Sequence, residues 1–396
     1  MSPASGPGGP VGGRSASWTT PVAAARSVRP GAVFTPSTPA CMSERSRRRR
    51  HIATGLFTAA SLSLAVLSVV WVARREGVSL LDVLVALPPG VHLLAFAGFA
   101  LDLLSRSWRV KLLAGGLGSP VSMRVCMLSQ LGGEAAGAVT PSRMGSDPAK
   151  LLVLSRAGME VHTAAAVLVG ELLAEGTGLV LLAGAVWFAF PEVHGAALGM
   201  LAYAAVVIGL STVWLLVARL PGDREAPRFW RWLRLDADRW RRLRLLARRF
   251  SRTAAGLRAL PVGTALGLVG VTLLHILARV AVLPALAFWA ASGPEALSAL
   301  ALWPIAILYV GSLLPPPGGG GGVEFGFATV LEGTLTGGVL PAALFWWRVY
   351  TFYLGALIGG FAMATLVGRH WLRSVSPHEG PRPLRRDEDA EPERHD

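Results

Sequence analysis

Cysteine is nearly absent, and its two positions rule out one class of chemistry. Cys41 lies in a polar leader and Cys126 in an apolar segment, so the chain has neither a disulfide framework nor a thiolate metal site. The eight histidines are scattered with no spacing such as HExxH, which removes the common metallohydrolase reading. There is no Walker motif, and GGGGG at 318–322 lacks the Lys and Ser/Thr that a phosphate loop needs. Carboxylates form no DxD or DDxxD cluster. Nothing in these patterns calls for a cofactor or a metal. Charge is scarce as well: 16% charged against 52% hydrophobic residues excludes an ordinary soluble domain.

What is present is a series of apolar runs. A bilayer core about 30 Å thick needs roughly 20 apolar residues per helix. Suitable runs are 52–73, 91–104, 161–190, 196–217, 262–290, 297–314 and 339–367. Two further stretches, QLGGEAAGAVTPSRMGSDPAK at 130–150 and PPPGGGGGVEFG at 315–326, break the helical pattern where it ought to continue. Irregular backbone at membrane depth is tolerated only where protein or a wet cavity covers its polar groups, so such segments line a path or a site. The predicted fold is all-α: a polytopic membrane helix bundle of seven to eight spans with two broken or re-entrant Gly/Pro-containing segments.

The net charge of +14 raises the question of nucleic acid, but its distribution answers no. The cations flank spans: Arg45–Arg50, RSWRVK at 106–111, the loop 222–258, and GRHWLR after Val367. Read by the positive-inside rule, they place the N-terminus, and an even number of crossings later the C-terminus, in the cytoplasm of a bacterial inner membrane. Parity requires one broken segment to cross or to pair with another half-span; 315–336 is the favoured element, with 124–142 entering and leaving on the cytoplasmic side, and the reverse assignment meets parity equally. In 222–258, Phe229, Trp230, Trp232, Trp240 and several Leu interleave with Arg, the rhythm of a basic amphipathic helix lying on anionic headgroups. Residues 1–43 and 373–396 read as a disordered leader, with Met42 a candidate start, and a disordered charged tail; 44–372 is the membrane domain.

Ionisable residues inside spans are costly and mark functional sites. Glu171 and Glu175 stand four apart on one helical face, and His275 and Arg279 repeat that spacing. Arg348 lies in the final span; the broken segments add Glu134, Arg143, Asp147, Lys150 and Glu324. Arg279 or Arg348 is the expected cation for the two glutamates. The bland reading is a buried ion pair that fixes helix packing; it is preferred for Asp102, which can reach Arg106 or water. For His275, a hydrogen bond to a neighbouring helix and a proton-carrying role stand level.

In the first broken segment Pro141 ends one helix, Gly145 permits a turn, and Ser146 or Asp147 can cap the next helix with Pro148 early in it. That helix start, beside Arg143 and Lys150, suits an anion such as phosphate. In the second, Pro317, Gly318, Gly319 and Gly321 give a close-approach backbone leading into a helix from about Val323, with Glu324 in its first turn.

At these residues the chain resembles the lysylphosphatidylglycerol synthase transmembrane region, a flippase-like membrane domain, over approximately residues 50–370. Pro141, Arg143, Gly145, Asp147 and Lys150 fit P-x-R-x-G-G-[DE]-x-x-[KR], with Ser146 in place of the second Gly. Glu171 fits an E-R-x-x-D pattern in which Glu175 stands for Asp and Leu172 for Arg. Pro315, Pro317, Gly318, Gly319, Gly321 and Glu324 fit P-x-P-G-G-[IL]-G-x-x-E, with Gly320 in the bulky apolar position.

The resemblance implies translocation of a phosphate-bearing lipid: an aminoacyl-phospholipid, a hopanoid or a polyprenyl-linked glycolipid. Only about 30 residues follow the last span, far short of an aminoacyl-transferase domain of ~100 residues or more, so that synthesis is not expected here. Two other readings compete: a membrane enzyme acting on a lipid-linked phosphate, with Asp147 or Glu324 as acid or base, and a non-catalytic accessory subunit. The implied partners are the membrane lipid as cargo, a second copy of the chain, or enzymes of envelope-lipid synthesis.

Overall fold

A computed structural model describes residues 69–219 and 248–375, together with Ser63, Leu67 and Leu245, and omitting 292, 317, 318, 336 and 337; at 214–219 and 366–375 it describes backbone alone. The leader 1–43, most of the first expected span, residues 222–244 of the amphipathic loop and the tail from 376 lie outside the described residues, as do Pro317 and Gly318.

Among the described residues the chain is helical, apart from one isolated bridge between Glu332 and Leu335. A helix closing at residue 75 leads to α1 (Leu80–Val85), whose Ser79 and Asp82 cap each other's backbone. Then come α2 (Pro89–Gly116), α3 (Met123–Ala138), α4 (Ser146–Arg156), α5 (Val161–Ala189) and α6 (His194–Arg219). After the loop follow α7 (Val262–Val280), α8 (Val282–Ala287), α9 (Pro294–Ser312), α10 (Gly322–Leu331), α11 (Val339–Arg348) and α12 (Leu354–Val375). A π-turn at Val349–Tyr353 joins the last two. Four helical stretches, Val161–Ala189, Pro191–Val213, Val262–Ala290 and Pro294–Ser312, are long and apolar enough to cross a membrane. Large apolar side chains such as Leu93, Phe188, Leu266 and Phe361 point outward, the face a bilayer solvates; the chain is a multi-pass membrane protein.

Small residues let the helices approach closely. Gly98 of α2 lies against Ala278 and Val282, and Gly116 against Leu260 and Thr264, so α2 and α7 run antiparallel. The same reasoning shows that α3 and α4 form a hairpin: Gly132 faces Val153, Gly133 faces Lys150, and Gly137 faces Ser146. It also shows that α9 and α10 form another, with Gly311 facing Val323 and Gly326 facing Ile307.

Short connections fix the ends. The first hairpin leaves from the end of the bundle where α2 finishes and α5 starts. The second leaves from the opposite end, where α8 finishes and α11 starts. Helix, hairpin and helix (α2, α3/α4, α5) thus recur with inverted direction as α7–α8, α9/α10, α11–α12, the layout of inverted-repeat transporters. The tips meet in the interior: the backbone N–H of Ser142 donates to the Pro315 carbonyl at 3.2 Å and its hydroxyl to the Leu314 carbonyl at 3.1 Å.

Two expectations need correction. The second span does not stop at Leu104; α2 continues through 28 residues to Gly116. Arg106 and Arg109 are therefore buried in mid-helix instead of flanking a span, because carboxylates on neighbouring helices receive them. Segment 315–336 is not a crossing element either. Its helix α10 has ten residues, about 15 Å at 1.5 Å per residue, half a bilayer core.

Candidate functional site

The first hairpin turns through two residues in the left-handed region, Ser142 (φ 45°) and Arg143 (φ 55°), a conformation costing roughly 1–2 kcal/mol for a non-glycine residue. It returns the Arg143 side chain to its own hairpin, where Nη2 donates to Glu134 Oε2 at 2.5 Å. The expected side-chain cap on α4 is absent: Gly145 is the N-cap residue, and neither Ser146 nor Asp147 caps. The turn is tied instead by the Gly145 N–H donating to Thr140 Oγ1 at 2.8 Å. A Cβ at Gly145 would stand 2.8 Å from the Ala136 carbonyl, which is why the turn needs glycine.

In the second tip Gly319 (φ 71°) and Gly321 (φ 81°) are left-handed, and the Gly321 N–H donates to Glu324 Oε2 at 2.7 Å. This is the first-turn position expected for Glu324. Its other oxygen meets Arg348 Nε at 2.9 Å. Arg348 also lies over the ring of Phe352, 4.7 Å from its centroid.

Between the tips and the long helices lies a cavity of about 340 Å³, at the small end of ligand pockets. Arg106, Arg109, Arg143, Lys150, Arg279 and Arg348 line it, against Glu134, Asp147 and Glu175. Six cations facing three carboxylates leave the lining positive. The remaining carboxylates stand one layer back. Asp102 receives Arg106 at 2.9 Å, Arg279 at 3.2 Å and His275 Nδ1 at 2.5 Å. Glu171 receives Gln130 Nε2 at 2.8 Å and Lys150 Nζ at 3.3 Å. Glu134 bridges Arg106 and Arg143, each at 2.5 Å. The cavity's other wall is apolar: Val206, Val207 and Leu210 of α6, with Leu308 and Leu313.

Arg109 is the most exceptional of these groups. It is 1% exposed, its Nη2 reaches Glu175 Oε2 at 2.9 Å and Glu171 Oε1 at 3.5 Å, and its Nε and Nη1 have no hydrogen-bond partner among the described residues. An ion buried with donors unmet costs several kcal/mol.

The structure brings the expected residues together. Glu134, Arg143, Asp147, Lys150, Glu175, Arg279 and Arg348 line the cavity; Glu171 and His275 lie directly behind it, and Glu324 behind Arg348. Pro141 and Gly145 form one tip, Gly319 and Gly321 the other. The expected pairing was wrong: Glu171 and Glu175 take their cations from Arg109 and Lys150, while Arg279 goes to Asp102 and Arg348 to Glu324. Asp102 does reach Arg106, but it also gathers two groups from α7, 173 and 177 residues away. Sequence reasoning missed Arg106, Arg109, Tyr309 and Gln130. For the first two a signal existed, since 102, 106 and 109 share one helical face.

A family model described as the lysylphosphatidylglycerol synthase TM region matches residues 57–359. No curated protein matches the chain.

Proposed function

We propose that this chain, which belongs to the lysylphosphatidylglycerol synthase TM region family, is a translocase for a phosphate-bearing lipid in a bacterial cytoplasmic membrane, with both termini in the cytoplasm. One observation carries the reading: a mid-bundle cavity lined by six cations, Arg109 among them, and three carboxylates, at the meeting point of two opposed hairpins. A phosphate there meets several guanidinium forks, the groups that match its geometry best.

A second feature supports a lipid over a soluble anion. Arg348 lines the cavity and also an apolar hollow of about 240 Å³ formed by Val69, Leu80, Val83, Leu84, Phe345 and Tyr353. Headgroup in one chamber and acyl chain in the other is the arrangement an amphiphile needs. Opposed hairpins from the two ends supply the two gates of alternating access. The reading assigns no covalent step, so the chain is proposed not to be an enzyme.

Reconstituted vesicles carrying fluorescent phospholipids of anionic, zwitterionic and cationic headgroup test it. Transbilayer exchange accelerated over empty vesicles, most for the anionic lipid, is expected. Exchange equal to that of empty vesicles across all headgroups overturns the proposal.

A further inference from the structure

His275 is fully buried in α7, and groups from three other helices surround its ring. From α2, Asp102 Oδ1 lies 2.5 Å from Nδ1. From α5, Glu175 Oε1 lies 3.6 Å from Nε2, beyond hydrogen-bond reach. From α9, the Tyr309 hydroxyl donates to that same Glu175 oxygen at 2.8 Å. The remaining charges nearby are Arg279 on the same helix and Arg106 on α2, both bound to Asp102, with Glu134 beyond Arg106 and Arg109 on the far side of Glu175.

With Nδ1–H donating to Asp102, a neutral His275 presents the Nε2 lone pair to a carboxylate oxygen. Two acceptors then face each other, Nε2 itself being fully buried. One proton between them removes the conflict, on either Nε2 or the carboxylate. Nε2 has no hydrogen-bond partner among the described residues, as a site left open for that proton requires. Glu175 and Tyr309 line the cavity, and His275 stands behind them, so the proton has a route in.

We infer that His275 and Glu175, with Tyr309 at the cavity wall, form a single-proton binding site coupled to anion occupancy. The coupling runs through Arg109. Glu175 Oε2 is one of its two partners; protonating the Glu175–His275 pair weakens that hold and adds one positive charge beside the cavity. An anion then binds more tightly, and by reciprocity its binding draws in the proton. Proton and anionic headgroup travel together. This deepens the proposed translocase reading and rests on it for the anion arm alone.

The test uses the full chain in lipid nanodiscs with dihexanoyl-phosphatidylglycerol as probe. Calorimetry in buffers of differing ionisation enthalpy counts protons taken up per probe bound. Net uptake that vanishes in His275→Gln and moves to higher pH in Tyr309→Phe, which loses the hydrogen bond that favours the ionised carboxylate, with probe affinity rising at least threefold between pH 8 and pH 6 in the parent, supports the inference. Probe binding with no proton uptake between pH 5.5 and 8 overturns it. Where no probe binds, the cavity reading fails and infrared difference spectra decide the proton site. A carboxylate or imidazole band that titrates between pH 5 and 8 and disappears in His275→Gln supports it, and no such band of either kind overturns it.

Discussion

The two hairpins enter from opposite ends and touch at their tips, yet they are held in different ways. The first is held by charge. Its arms carry Glu134, Arg143, Asp147 and Lys150, and its turn keeps two non-glycine residues left-handed. The second is held by the absence of side chains. Its tip is Pro and Gly, a Cβ at Gly319 would stand 2.6 Å from the Gly311 carbonyl oxygen, and a buried ion pair, Glu324 to Arg348, anchors its return arm. The difference teaches that two hairpins can be anchored by different means: ion pairs in the first, close backbone approach in the second.

Substitutions that exchange these characters separate the two roles. The largest effect is expected at Glu134→Ala, which strips a buried carboxylate from both Arg106 and Arg143; losing one partner of a buried pair costs about 3–5 kcal/mol. The variant should fail to give a monodisperse peak on size-exclusion chromatography in detergent, and a wild-type profile sinks the claim that charge holds this hairpin. Next is Gly319→Ala. A left-handed alanine costs roughly 1–2 kcal/mol, and its Cβ collides with backbone; thermal melts of the purified protein should drop by several degrees, whereas Gly184→Ala, inside helix α5 with nothing within 4 Å of the added Cβ, should not.

Arg109→Gln comes third. It removes the unmet donors, and the lost charge-assisted bonds, about 1.5–3 kcal/mol, should slow lipid exchange by about one to two powers of ten. Exchange at the parental rate would remove Arg109 from recognition. The smallest effect is expected at Ser142→Gly: relief of the left-handed strain offsets loss of the hydroxyl bond to Leu314, about 1 kcal/mol. Stability should change little while Ser142→Ala, which keeps the strain and loses the bond, melts lower.

Much of the site was legible in the chain. Glu171 with Glu175 and His275 with Arg279 announce themselves as charges in apolar runs, and the Pro/Gly breaks mark both tips. Arg106 and Arg109 were not, because a cation just past a 14-residue apolar run resembles a juxtamembrane flank. Only the partners that bury it reveal a longer helix. Tyr309 was hidden for another reason: one tyrosine in an apolar helix carries no signal until a carboxylate is placed beside its hydroxyl.

By itself the sequence determined the membrane class, the helices, the two interruptions and the ionisable groups set inside apolar runs, since each follows from transfer energy and backbone preference along a local stretch. Tertiary structure alone decided which charge meets which. The pairs that matter lie 28, 62 and 173 residues apart, and Coulomb attraction between them depends on the register of helices that helical periodicity leaves free.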